Sequence, residues 1–175
     1  MILEGLPGVG KSTMANDLVL EGARRGVRIG LVPEVISLPS RPKRSDFVRN
    51  DQLKAENVRR FSREGYEYVV QDRSWVSTSA YSAALSGTPP TTSRESPPVS
   101  SVMTVWCFCS LGADLRRRHV GRLEEAWDDD GFAQRWTDEA RQLMKRQDGL
   151  YAELRLDDEG FAGRTKRAWR LLVAS

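Results

Sequence analysis

The chain has 175 residues, which favours one domain around one core. Apolar residues make up 39%, and no run approaches the roughly 18 consecutive apolar residues of a membrane-spanning helix. With 27 basic and 24 acidic residues the net charge is only +3, weak grounds for a nucleic-acid binder, and no recognised nucleic-acid motif is present.

The basic residues are unevenly chosen: 22 are arginine. Arginine makes two-pronged hydrogen bonds to phosphate, so the surplus fits a protein that handles phosphate esters. A GC-rich coding sequence would produce the same surplus, and composition does not separate the two. The opening Met1-Ile2-Leu3-Glu4 lacks a basic-then-apolar leader, so a cytoplasmic location is expected. Cys107, Cys109 and His119 are too few for a disulfide framework or the usual structural zinc sites, and buried, inert thiols are expected.

Strands and helices alternate along the chain, which predicts an α/β fold with a parallel sheet. Met1 to Glu4 reads as a short strand and 11–25 as a helix stopped by Gly26. Val27 to Val32 is the second strand. Ser45 to Arg63 reads as a helix with Ser45 as its cap and Gly65 as its stop. Tyr66 to Gln71 is the third strand, and 74–85 a helix of small residues. Residues 86–100 carry two Pro pairs, which block helix and strand, and read as a mobile surface loop. Residues 101–108 are nearly continuously apolar, as a strand covered on both faces should be. Residues 111–126 are basic, then acidic. Phe132 to Tyr151 reads as one long amphipathic helix, with Trp136, Ala140, Leu143, Met144, Leu150 and Tyr151 on one side. A short strand, Leu154 to Leu156, and a last helix with Phe161, Thr165, Ala168 and Leu172 at helical spacing complete the chain.

Directly after the first strand comes Gly-Leu-Pro-Gly-Val-Gly-Lys-Ser, residues 5–12, which matches G-x-x-x-x-G-K-[ST] without a mismatch. Gly5, Gly8 and Gly10 let the backbone turn its N–H groups around phosphate oxygens. Lys11 reaches the β- and γ-phosphates, the Ser12 hydroxyl suits magnesium, and Val9 and Thr13 complete the loop. The helix that starts here points the positive end of its dipole at the anion. The pattern predicts binding of a nucleoside triphosphate with Mg2+. Asp72, ending an apolar strand, is the candidate second metal carboxylate, although a turn or cap Asp would look the same.

No guanine-specificity N-K-x-D run exists, and the Asp128-Asp129-Asp130-Gly131 run does not follow a strand, so a GTPase switch is not supported. A motor ATPase would normally be longer. The residues that remain resemble a known group. Glu4 to Thr13, E-G-L-P-G-V-G-K-S-T, is similar to the opening of thymidylate kinases and deoxynucleoside kinases. Asp72 to Ser82, D-R-S-W-V-S-T-S-A-Y-S, resembles the thymidylate kinase run D-R-Y-x-x-S-x-x-A-Y-Q and, through Arg73 and Ser74, the E-R-S of deoxynucleoside kinases. Leu156-Asp157 before a helix resembles the same group's last strand and adenine-side loop.

The resemblance implies a three-layer P-loop kinase fold: a five-stranded parallel sheet in the order 2-3-1-4-5, flanked by helices, with a small helical lid near 116–130. It places Arg73 at the acceptor's 5′ end and at the transferring phosphoryl group. It makes Glu34, ending the second strand, a base for a 5′-hydroxyl proton. It likens Arg116 to Glu125 to a deoxynucleoside kinase lid, with Arg118 and Arg122 matching its first two arginines and His119 incidental. A solvated helix face would also explain those arginines. Phe47, Trp75, Ser77 and Tyr81 are candidates for a base pocket, because aromatic faces stack on nucleobases, with core packing as the alternative for each.

A hydroxyl acceptor benefits from a base, whereas a monophosphate needs extra cations instead. Pro33 stands where thymidylate kinases have the arginine of R-E-P, which favours a nucleoside. The Asp72–Tyr81 run leans the other way, and Arg49, Arg59, Arg60 and Arg63 could supply cations or form a wet helix face. The expected activity is therefore ATP- and Mg2+-dependent phosphorylation of the 5′-hydroxyl of a nucleoside or analogue. A thymidylate-type monophosphate kinase is the alternative, followed by a kinase of small alcohols or antibiotics and by a nucleotide-binding regulator without transfer activity. The expected partner is a small-molecule nucleoside or nucleotide, without nucleic acid or membrane, and homodimerisation stays open.

Overall fold

The structure, a computed structural model, describes residues 1–40, 43–86, 103–111 and 130–174, without the side chains of 130, 156–159 and 161. The expected lid, with Arg118, His119 and Arg122, and nearly all of the expected 86–100 loop lie outside the described residues. In chain order the elements are β1 (Ile2–Glu4), α1 (Lys11–Arg24), β2 (Ile29–Val32), α2 (Arg44–Arg63) and β3 (Tyr68–Asp72). They continue with α3 (Trp75–Ser86), β4 (Val105–Ser110), α4 (Asp130–Lys145), β5 (Leu150–Arg155) and α5 (Leu156–Val173).

The strands form one sheet in the order β2-β3-β1-β4-β5, with every neighbouring pair parallel. This is the order the resemblance implied. Its apolar strands follow a period of two, and β4 shows why it reads as continuously apolar. Val105, Cys107 and Cys109 face a core shared with Met14 and Leu18 of α1 and with Ala168, Trp169 and Leu172 of α5. Trp106 and Phe108 face the other side, among Val76 and Ala80 of α3 and Trp136, Ala140, Leu143 and Met144 of α4. Burial pushes the Cys107 thiol up to about 12 and the Cys109 thiol up to about 11, so both are neutral and unreactive at ordinary pH.

Several element boundaries differ from expectation: the second strand begins at Ile29 and not Val27, and the third runs Tyr68–Asp72 and not Tyr66–Gln71. The fourth strand runs Val105–Ser110, not 101–108. The α2 helix begins at Arg44 with Lys43 as its cap residue, and Asp46, not Ser45, supplies the cap: its carboxylate accepts the Lys43 N–H at 2.7 Å. The long amphipathic helix stops at Lys145, and Leu150 and Tyr151 belong to β5, which is longer than the expected Leu154–Leu156. The cause of that last difference is Gly149. Its φ is +118°, and a Cβ there would lie 2.1 Å from the Thr104 carbonyl oxygen. The chain can therefore turn tightly against β4, after which the Leu150 N–H donates to Thr104 O and pairing runs from Val105–Leu150 to Ser110–Arg155.

Trp136 is the largest fully buried side chain in the core beneath α3 and α4. Trp136→Ala should cost about 3–5 kcal/mol, read as a lowered urea midpoint at unchanged slope. A loss under about 1 kcal/mol would contradict this packing.

Candidate active site

Parallel strands bring the carboxyl ends of β1, β2 and β3 to one edge, where ligands bind in open α/β sheets. Three segments meet there: the glycine loop after β1, Pro33-Glu34 after β2, and Asp72-Arg73 at the end of β3. They form a cleft of about 410 Å³ lined by Pro7, Gly8, Gly10, Lys11, Ser12, Thr13, Glu34 and Arg73. Gly5 and Val9 shape the loop from behind. Val9 is buried in the core, and a Cβ on Gly5, whose φ is +146°, would lie 2.1 Å from the Cys109 carbonyl oxygen. Only glycine lets the loop leave β1 this close to β4.

Lys11 is buried and its ammonium donates to Leu6 O at 3.1 Å. Burial, helped by the nearby Arg73 cation, lowers its pKa to about 8, with Asp72 and Glu34 pulling the other way. The Ser12 hydroxyl donates to Asp72 Oδ2 at 2.5 Å, bridging α1 and β3. Asp72 Oδ1 is buried with no hydrogen-bond partner among the described residues. A hydroxyl beside a carboxylate with one unused buried oxygen is the hard-oxygen donor set that suits magnesium.

Arg73 carries the most unusual backbone. Among the described residues it is the one non-glycine with a positive φ, +59°. Its N–H donates to Leu3 O at 2.9 Å. Its carbonyl accepts from Lys54 Nζ at 3.3 Å and from Gln71 Nε2 at 2.8 Å, and Lys54 Nζ also reaches Asp72 O at 3.2 Å. The next N–H, of Ser74, donates to Glu4 Oε1 at 2.7 Å. Held this way, the guanidinium puts Nε 2.7 Å from Glu34 Oε1 and Nη1 3.0 Å from Ser77 Oγ, while Cζ lies 5.6 Å from the centre of the Trp136 ring. The ion pair of Arg73 is therefore with Glu34, not with its neighbour Asp72. Arg73 is 7% exposed and the Glu34 side chain 46%, so the carboxylate is the more open half of the pair, and both line the cleft.

Four supporting residues had no assigned role in the sequence reading. Glu4 is fully buried and accepts from Ser74 Oγ at 2.7 Å and Ser77 Oγ at 2.5 Å. Burial raises its pKa against the opposing pull of Arg73, the two serines and Lys54. A carboxylate ending an apolar strand is the signal that could have drawn attention to it. Lys54, 2% exposed, has a lowered pKa through burial. Asn50 accepts the N–H groups of Ile36 and Ser37 and donates to Glu34 O at 3.1 Å, shaping the segment that carries Glu34. Asn50 and Lys54 are the buried residues of α2, and their spacing of four puts them on one face. Arg164 of α5, the fourth, meets the glycine loop from behind, where no local motif marks it.

The other candidates lie away from the cleft lining. Ser77 enters through Arg73 and Glu4. Phe47 is 36% exposed on α2, one turn before Asn50. Trp75 and Tyr81 pack on the core beneath α3, Tyr81 edge-on to Phe132 with ring centres 5.5 Å apart. Arg49, Arg59, Arg60 and Arg63 are exposed, and Arg60 stacks on Phe61. The tail Leu156-Asp157 forms the start of α5, and its side chains lie outside the described residues. Among the described residues, no helix is long and apolar enough to cross a membrane.

No protein-family model matches this sequence, and no curated protein matches it. Among solved structures, a thymidylate kinase from Ehrlichia chaffeensis is similar, with a TM-score of 0.69 at 15% sequence identity. The likeness covers 98% of this chain and 96% of that one. The chain has the P-loop kinase fold of thymidylate kinase.

The lowered Lys11 pKa has a measurable consequence. In the unfolded chain this group titrates near 10.5, so between about 8 and 10.5 the unfolded state binds more protons and the Lys11 contribution to stability rises with pH. A polyanion in the cleft would restore the ammonium, so binding near pH 8 should take up about half a proton. Calorimetry with inorganic tripolyphosphate in two buffers of different ionisation enthalpy reads that uptake. It should vanish in Lys11→Met, and binding to the native protein without uptake would contradict the assignment.

Proposed function

We infer that this protein transfers the γ-phosphoryl group of ATP to the 5′-hydroxyl of a nucleoside or nucleoside analogue. The observation that carries this reading is the Glu34–Arg73 pair at 2.7 Å on the wall of the same cleft as Lys11 and Ser12. It supplies, side by side, a solvent-reachable carboxylate that can accept a proton and a cation that can meet a phosphoryl oxygen.

Each residue then has a role consistent with a largely dissociative transfer, in which alignment and charge stabilisation matter most. The N–H groups of the loop and the Lys11 ammonium would bind the β- and γ-phosphates. Ser12 and Asp72 would hold magnesium, which neutralises charge on the phosphates when bound. As the acceptor oxygen bonds to the γ-phosphorus and the bond to the ADP oxygen breaks, Glu34 takes the hydroxyl proton. Arg73, already aligned by Ser77, stabilises the transferring group. Arg118 and Arg122 are proposed to close over ATP as a lid near 116–130, excluding water from the reaction. Phe47, exposed on α2, is proposed to contact the base, while Trp75 and Tyr81 pack on the core beneath α3. The reading extends to a single kinase domain over residues 1–175 in the cytoplasm.

The thymidylate-type alternative, with a monophosphate acceptor, draws support from the structural likeness over nearly the whole chain. It is disfavoured by the pairing of Arg73 with Glu34, which leaves no surplus cation beside Glu34 in the cleft lining among the described residues. A mass-spectrometric panel of nucleosides and nucleoside monophosphates with ATP and magnesium separates the two. A nucleoside should gain one phosphoryl group, and Lys11→Ala should abolish transfer. Glu34→Gln should lower kcat about 100-fold or more with little change in the ATP KM. Turnover of monophosphates alone, or full activity of Glu34→Gln, would overturn the hydroxyl-acceptor assignment.

A further inference from the structure

Arg164 lies 154 residues from Gly10 in sequence, yet its guanidinium touches the glycine loop. Nη1 donates to Val9 O at 2.6 Å, and Nη2 lies 3.5 Å from Gly10 O. The side chain is completely buried. Burying a guanidinium is expensive, so a fully buried arginine that meets carbonyls of the glycine loop calls for a reason. Anchoring α5 does not supply one, because Ala168, Trp169 and Leu172 already hold that helix in the core.

The geometry of the peptide unit supplies one. In a planar trans peptide, a carbonyl and the N–H of the next residue point in opposite directions. Drawing the Val9 and Gly10 carbonyls back toward α5 turns the N–H groups of Gly10 and Lys11 the other way. Gly10 and Lys11 both line the cleft. The Met14 N–H reinforces this from within α1, donating to Gly10 O at 3.0 Å. Gly10 sits at φ +80°, and because glycine lacks a Cβ many other backbone paths stay open to it, which held carbonyls narrow to one.

We propose that Arg164 is a positioning residue for phosphate binding: from behind the glycine loop it fixes the Val9 and Gly10 carbonyls and thereby aims the Gly10 and Lys11 N–H groups at the donor's phosphates. This role rests on the loop binding a triphosphate, as set out under Proposed function. It makes the last helix part of the donor site, acting through the loop without touching the ligand. Arg164→Met keeps length and apolar bulk but removes both donors. Arg164→Lys keeps the charge and can reach one carbonyl at a time.

The test combines three readouts on the full chain. Calorimetry with magnesium and inorganic tripolyphosphate should show at least a 10-fold loss of affinity in Arg164→Met, with Arg164→Lys between it and the native protein. Steady-state kinetics should show the donor KM raised by a similar factor while the acceptor KM stays within about twofold. Amide 15N relaxation should show order parameters of Gly8 and Gly10 dropping from about 0.85 to below about 0.6 in the variant, with α1 unchanged. Native tripolyphosphate affinity and native loop order parameters in a folded Arg164→Met would overturn the proposal. If Arg164→Met does not fold, a folded Arg164→Lys with native donor KM and native loop order overturns it equally. If the native protein binds no tripolyphosphate, the kinase reading fails, and the relaxation data alone still decide whether Arg164 orders the loop.

Discussion

The cleft depends on one strained residue. Arg73 adopts a left-handed backbone conformation, which costs a side-chain-bearing residue about 1–3 kcal/mol and persists only where its surroundings over-determine it. Here they do. Leu3 O holds its N–H, Lys54 and Gln71 hold its carbonyl, Lys54 holds the preceding carbonyl, and Glu4 holds the following N–H. The turn ends β3, starts α3 two residues later, and sends the guanidinium to Glu34. With an ordinary backbone at this position, the same side chain would leave β3 in another direction. The Glu34 carboxylate would then stand at the cleft without a partner.

The polar groups that enforce this turn are themselves buried, and they are paired in a way that makes their burial tolerable. Glu4 would be costly as an isolated carboxylate in the core, but two serine hydroxyls and one N–H bond to it, and the Arg73 and Lys54 cations lie near enough to favour its charge. Lys54 likewise spends its ammonium on two carbonyls. The result is a preorganised floor beneath Lys11, Ser12, Asp72 and Glu34. Donors arranged before a ligand arrives need little reorganisation when charge develops on it. Behind the loop Arg164 contributes to the same end from the opposite side of the sheet.

How much of this was legible depended on the range of the interaction. The glycine loop, the helix after it and the strand ending in Asp72 follow from contiguous residues, and the structure puts the loop on the cleft with buried Asp72 bonded to Ser12 beside it. The doubly covered β4 was legible because two alternating faces are both apolar. The end of α4 was misjudged because the spacing of Trp136, Ala140, Leu143 and Met144 runs on into Leu150 and Tyr151, whose apolar character serves a strand equally well. What separates them is the close approach of Gly149 to Thr104, 45 residues away, which no local pattern encodes. The cap of α2 was misplaced by two residues because Ser45 is a good capping type and Lys43 is not, and only the path of the chain lets the Asp46 carboxylate take the Lys43 N–H.

By itself the sequence determined the α/β alternation, the phosphate-type loop and the residues that could do chemistry, because propensity, periodicity and motif are written in neighbouring positions. Together with a family resemblance it also yielded the strand order, which pairwise ladders then displayed. Only the tertiary structure decided which charges meet. It paired Arg73 with Glu34 and not with adjacent Asp72, buried Glu4 and Lys54 under the turn, and brought Arg164 from the last helix to the first loop. The physical reason is that a hydrogen bond acts over about 3 Å. Its partners are selected by where the sheet and the turns carry them, across separations of 19 to 155 residues that no local reading spans.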